Sequence, residues 1–336
     1  MLSSKKCLEQ NRHENPYNGF GSFLVETQQN VFYLDLSRST LLEAFDEMIR
    51  VKSRIYPTYR KHFWTVLKYI NMLEGKYGCT IQTFQVNDIF WSYFIPFLQE
   101  QGLSFSTIKH TCICIKTVLS WSVKYGARIS PSYNIMTVPE YRNQQISLTP
   151  DEVSRIYHFD LSTIKRRSQC LRRFERVRDM FVLSCNLGQR YSDMIRINKS
   201  CFDDYNIFRI MQKKTGNKAR VDINKMSIDR KTTLELLKKY DYNPPTTVDL
   251  SGFAKTLHEL MRYIGFDEMV KRESRVGGFV KEEFIPKWKL ITSHTARRTF
   301  ITVNVMRGFN IMEIRRASGH ASQSTFERYL CYTDDY

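Results

Sequence analysis

Apolar residues fall at helical spacing along most of this chain, beginning at Ser39. The segment "STLLEAFDEMIRVK" offers Ser39 or Thr40 as its cap. "YPTYRKHFWTVLKYINMLEGKYG" is a longer amphipathic stretch that stops at Gly75 or Gly78, where a C-capping glycine belongs. "NDIFWSYFIPFLQEQG" and "SFSTIKHTCICIKTVLSWSVKYG" complete four helices by Gly126, and the pattern predicts a compact all-α unit over residues 39–130. Ahead of it, residues 1–38 are polar and then alternate weakly in "SFLVE" and "VFYLDL", which predicts a flexible start and one short strand.

Residues 131–146 hold two prolines and lose all periodicity, so they read as a linker. "LTPDEVSRIY" then carries a capping box, with Thr149 at the N-cap, Pro150 at the first helical position and Glu152 at the third, and opens a second domain over 147–336. A long helix from about Arg167 to Leu187 stops at Gly188. "YNIFRIMQKKTGNKARVDIN" alternates on both sides of "TGN", a β-hairpin signal. Glycines and β-prone residues in "RVGGFVKEEFIPKWKLIT" interrupt the helices that follow, and the last 45 or so residues read as three more. The predicted fold class is mainly α with a small β-sheet, in two domains.

Composition sharpens this picture. The chain has 336 residues, 42% hydrophobic and 25% charged, enough to bury the cores of two domains. Its net charge of +17 attracts polyanions, and nucleic acid is favoured over a merely basic or ribosome-associated role. The eight cysteines include no CxxC pair. Cys112 and Cys114, two apart, point to different faces of a helix, so buried reduced thiols are expected rather than zinc or disulfides. The N-terminus has no apolar signal region, and no run approaches the ~18 apolar residues of a membrane span, so a soluble intracellular protein with no membrane partner is expected.

Candidate chemistry gathers late in the chain. In "SHTARRTF", His294 and Arg297 are i, i+3 neighbours on a helix, and Arg298 at i+4 shares their face, so spacing alone does not choose between the arginines. "IRRASGHASQSTFERYLCY" adds Gly319-His320 and then Tyr329 and Tyr332. Upstream, "NLGQRYSDM" sets Arg190 just past a helix-ending glycine, with Asp193 three positions on, and the hairpin turn offers Lys213 and Lys214. Taken singly, each is an ordinary surface or core residue; the ordered set is not.

With this set the chain resembles the tyrosine recombinases, or phage integrase family, and within them the integrases of Bacteroides-type mobile elements, which often read HTARRTF. Residues 39–130 resemble the helical core-binding DNA domain and 147–333 the catalytic domain. The resemblance assigns Arg190 and Arg297 as catalytic arginines, Lys214 as the hairpin lysine, His294 and His320 as the catalytic histidines, Tyr329 rather than Tyr332 as nucleophile, and Asp193 as a supporting acid. It implies a site-specific recombinase, an integrase or invertase, that cuts and rejoins duplex DNA through a 3′-phosphotyrosine. The implied setting is a homotetramer on paired sites in the bacterial cytoplasm, associated with the nucleoid, with an accessory DNA-bending protein as a further partner. No cofactor is implied, and the sequence has neither a phosphate-binding Gly-Lys-Ser/Thr loop nor a carboxylate cluster with metal spacing.

The residue types suit that chemistry. Two guanidiniums can hold the non-bridging oxygens of a phosphodiester as negative charge builds on them. A phenol ionises near pH 10, so about one in a thousand is ionised at pH 7 and a proton acceptor such as His294 is needed. The leaving 5′ oxygen needs a proton, which Lys214 can supply, and His320 can hydrogen-bond a phosphate oxygen.

Three departures stand out. Gln189 occupies a position that is commonly apolar in the family. Seven residues follow Tyr329 and only 38 precede the first helix. That leads one to expect a short or absent C-terminal exchange between subunits and no full arm-binding domain. The competing readings are a type IB topoisomerase-like enzyme and a non-catalytic DNA-binding protein of the same fold.

Overall fold

The computed structural model describes residues 24–26, 32–55, 59–135, 145–245, 248–276, 279–327 and 329. Two compact units divide the chain, one within residues 1–142 and one holding most of 143–336; the hairpin tip 274–281 is set apart from the second.

In the first unit, β1 (Leu24–Glu26) pairs antiparallel with β2 (Phe32–Leu34), with Val25 opposite Tyr33. A pair of strands stands where the sequence predicted one. Four helices follow: α1 (Leu41–Ser53), α2 (Tyr59–Tyr77), α3 (Asp88–Glu100) and α4 (Phe105–Ser122). Thr40, not Ser39, caps α1, in a reciprocal box with Glu43. Asn87 and Ser104 cap α3 and α4. Leu41, Phe45, Ile70, Trp91, Phe94, Ile115 and Leu119, drawn from all four helices, form the core. Helix α4 touches each of the other three. That is why Cys112 and Cys114 are both buried although two positions apart: α4 has two covered faces. Burial pushes their thiols up, to about 12 and about 11, away from reactivity. Cys79 and Cys170, by contrast, are exposed. Pro131–Asn134 makes a single 3₁₀ turn, and 136–144, the rest of the predicted linker but its last residues, lie outside the described residues.

The second unit opens with α5 (Pro150–His158), started by the Thr149–Glu152 box that the sequence announces. Helix α6 (Ser168–Leu187) is its axis: every residue from Asp179 to Leu187 is buried, as expected of a helix covered all round. Then come α7 (Tyr191–Met194), the hairpin β3 (Ile207–Met211) and β4 (Lys218–Asp222), α8 (Ile223–Met226), α9 (Arg230–Lys239) and α10 (Leu250–Ile264). A second hairpin, β5 (Met269–Val276) and β6 (Phe279–Pro286), precedes α11 (Lys287–Leu290), α12 (Ser293–Met306), α13 (Ile311–Ser318) and α14 (Gln323–Glu327). The strands form separate two-stranded ribbons. No helix among the described residues is long and apolar enough to cross a membrane.

Helices α6 and α12 pack directly together, and Gly188 sets how closely. It ends α6 with φ +65°, and a Cβ there would lie 2.3 Å from the Phe300 ring of α12. Gly188→Ala therefore meets both a left-handed backbone and a core clash, and should lower stability by about 2–4 kcal/mol. Urea unfolding would show this as a lower midpoint at unchanged slope; an unshifted midpoint would mean that α12 moves aside freely.

Candidate active site

Four chain segments converge beside the end of α6. The first is the turn after Gly188. It throws Arg190 to the N-cap of α7 and buries Asp193 completely. One oxygen of Asp193 accepts the Lys213 backbone N–H at 2.8 Å and lies 3.6 Å from Arg196; the other has no hydrogen-bond partner. Asp193 thus pins the second segment, the β3–β4 turn, which carries Lys213 and Lys214 exposed.

The third segment is the start of α12, where the Thr292 N–H donates to Thr295 Oγ1 at 2.9 Å. From this first turn and the next come His294, Arg297 and Arg298. Arg297 is fully buried. Its Nη1 donates to the Gly188 carbonyl at 3.1 Å and its Nη2 to the His320 ring at 2.9 Å. Burial, and after it the charge of Arg190, push this guanidinium down to about 9, so it still carries its charge at neutral pH.

The fourth segment runs from the end of α13 to Tyr329. Gly319 takes φ +68° as the C-cap of α13, and His320 follows, buried. Ser318 Oγ donates to the Ile314 carbonyl at 2.7 Å, so its 2.8 Å contact with His320 Nδ1 uses it as acceptor. Nδ1 therefore carries the proton and Nε2 accepts from Arg297. Burial, then Arg297, Arg190 and Arg315, hold His320 far below the ordinary histidine range, which keeps it neutral. The Tyr329 ring centroid lies 4.7 Å from that of His320 and 6.3 Å from that of His294. The Cζ atoms of Arg297 and Arg298 lie 5.2 and 5.9 Å from the same ring. Tyr332 lies outside the described residues.

His294 keeps an exposed edge, yet it is held below its ordinary value, first by partial loss of hydration and then by Arg298, Arg297, Arg190 and Lys214. That list of charges also shows what the fold gathers around one imidazole. The structure thus brings Arg190, Lys214, His294, Arg297, His320 and Tyr329 into one cationic cluster, with Asp193 beneath it. Such a cluster can hold an anion, take up a phenolic proton and return one.

Three residues beside the cluster were given no part in it by the sequence. Arg298 is a second cation against the tyrosine ring; its spacing placed it on the right face, but nothing there says that both arginines serve one site. Gln189 and Gln212 are the others. Gln189 is fully buried and satisfied: its Nε2 donates to the carbonyls of Leu187 (2.7 Å) and Ala317 (2.8 Å), and its Oε1 accepts from Gln212 at 3.0 Å. Its departure from an apolar residue has a structural purpose, because it ties the end of α6 to the end of α13. No local sequence signal reveals a bond across 128 positions.

Comparison with known proteins points to one family. Residues 147–335 match the phage integrase family. No curated protein matches the chain. Among solved structures, the Tn1549 transposon integrase (residues 82–397) in complex with circular intermediate DNA is similar with a TM-score of 0.58 at 14% identity, over 88% of this chain and 96% of that one. A lambda integrase tetramer bound to a Holliday junction gives 0.57 at 16% identity, over 87% and 78%. At such identities the likeness is one of fold. The chain belongs to the phage integrase family. It is a site-specific recombinase, an enzyme that breaks and rejoins DNA.

Proposed function

We propose that Tyr329 attacks a phosphodiester of duplex DNA, with Arg190 and Arg297 on the non-bridging oxygens. The phenolic oxygen bonds to phosphorus as the bond to the 5′ oxygen breaks, leaving a 3′-phosphotyrosine and a free 5′-hydroxyl. His294 takes the phenolic proton, and Lys214 protonates the leaving oxygen. A new 5′-hydroxyl reverses the step without external energy, because the bond formed resembles the bond broken. His320 orients Arg297 through Nε2; donating to a phosphate oxygen requires it to take up a proton, which an anion beside it favours. Asp193 holds the lysine-bearing turn in place.

One observation carries this reading: the Tyr329 ring lies 4.7 Å from His320 and 5.2 Å from the guanidinium carbon of a fully buried arginine. A protein that only bound DNA would have no use for a phenol there. The first unit is then the core-binding DNA domain, and strand exchange takes four copies on paired sites, the assembly state of the lambda integrase structure. The same reading puts the enzyme in the cytoplasm, on the nucleoid. Strand exchange between two duplexes separates this recombinase from a type IB topoisomerase-like enzyme.

The test is covalent capture. DNA flanking the gene is tiled into nicked duplexes, from which the released 5′ fragment diffuses away, and SDS-resistant protein–DNA bands are sought. A band on one tile supports cleavage and reports the site. Tight binding to one tile with no band on it would favour the non-catalytic reading.

A pH prediction follows from His294. As a base it must be neutral, and its environment lowers its pKa below the ordinary 6.5. Cleavage at subsaturating DNA should therefore hold its rate as pH falls through 6.5 and lose it only below. An acid limb above pH 6.5 would remove His294 as the base.

A further inference from the structure

The mechanism leaves Gln212 unused, although it sits where the segments of the site meet. It directly follows β3, is 1% exposed, and has every amide position filled. Its Oε1 accepts from Arg190 Nη1 at 2.6 Å and from Thr215 Oγ1 at 3.1 Å. Its Nε2 donates to the Ser318 carbonyl at 2.8 Å and to Gln189 Oε1 at 3.0 Å. The chemistry permits no other orientation. A guanidinium only donates, so the oxygen must face Arg190; a carbonyl only accepts, so the nitrogen must face Ser318. The same logic fixes Gln189, whose nitrogen faces two backbone carbonyls.

We infer that Gln212 is a positioning residue for Arg190, held in its orientation by Gln189; the inference rests on the role proposed for Arg190 above. A neutral amide suits this task better than a carboxylate. It fixes the direction of the guanidinium without cancelling the charge that the phosphate needs. Its oxygen also takes the Thr215 hydroxyl, one residue past Lys214, so the first arginine and the lysine turn share an anchor. Its nitrogen reaches the end of α13, two residues before His320. Gly319 belongs to the same device: a Cβ at that position would lie 2.4 Å from the Gln212 side chain. The Gly319-His320 pair thus needs its glycine partly because Gln212 fills the space.

The test uses the full-length protein and a duplex that traps it, with single-turnover rate and DNA affinity measured separately. Gln212→Met keeps the volume and removes the hydrogen bonds. It should slow covalent-complex formation by about 10- to 100-fold at unchanged affinity. Placed on top of Arg190→Ala, it should slow the reaction far less than it slows the wild type. Losses that multiply in the double variant would overturn the inference and leave the site reading standing. Arg190→Ala as fast as wild type would overturn both. Gln212→Glu covers the case in which the methionine variant does not fold. Its carboxylate would pair with Arg190, whereas its protonated form restores an acceptor toward Arg190 and a donor toward Ser318. Its rate relative to wild type should climb as pH falls; a ratio flat with pH would overturn the inference.

Discussion

Tyr329→Phe should abolish the SDS-resistant protein–DNA band on every duplex that traps the wild type, while the protein still binds that duplex. The substitution removes one oxygen atom. The ring keeps its place beside His320 and below Arg297 and Arg298, since those contacts are made with the ring face and not with the hydroxyl. The Arg297 guanidinium stays fixed by Gly188 and His320. Folding and affinity should therefore hardly change, and the covalent product should vanish, because no other oxygen replaces the nucleophile. This combination separates chemistry from binding. A band that survives in Tyr329→Phe would show that the nucleophile is another residue, and Tyr332, the other tyrosine of "RYLCY", would be the next to replace. A loss of both band and binding would place Tyr329 in DNA recognition rather than in bond making.

Much of this site can be read from the sequence because its parts are signalled locally. A capping box announces α5, a glycine stops α6 one residue before Gln189-Arg190, and alternation around "TGN" marks the hairpin that presents Lys214. Each signal depends on residues within a few positions of each other. What the sequence hides is long-range and polar. Gln212 reaches Ser318 across 106 positions and Arg190 across 22, and nothing about a glutamine at a strand end distinguishes such a bridge from a solvated side chain. The choice between Arg297 and Arg298 was hidden in the same way. At i+3 and i+4 both share the face of His294, and only the packing of α12 against α6 makes Arg297 the one that is fully buried. β1 and β2 escaped full recognition because three-residue strands carry too few alternations to count.

Arg190→Ala and Arg297→Ala should each slow cleavage by on the order of 10²–10³, equivalent to about 2.7–4 kcal/mol of lost transition-state stabilisation. The two losses should nevertheless be separable by what accompanies them. Arg190 is partly exposed, and among the described residues its guanidinium donates to Gln212. Its removal leaves that oxygen still satisfied by Thr215, so stability should barely move. Arg297 is different. Its removal opens a cavity in the core and strands the Gly188 carbonyl and His320 Nε2, each an acceptor already withdrawn from water. Stranding the carbonyl alone should cost about 1–3 kcal/mol of stability. The Arg297 variant should therefore unfold at lower urea concentration and also cleave slowly, whereas the Arg190 variant should only cleave slowly. Arg297→Lys refines the argument. An ammonium keeps the charge but cannot donate in the plane to Gly188, to His320 and to a phosphate oxygen at once. If charge alone stabilises the transition state, the lysine variant should recover most of the rate; if the fixed fork is what matters, it should stay close to alanine. Equal cleavage rates for wild type and either alanine variant would remove that arginine from the mechanism. Because Arg297 is held by the chain on two sides before any DNA arrives, the fork is the expected answer.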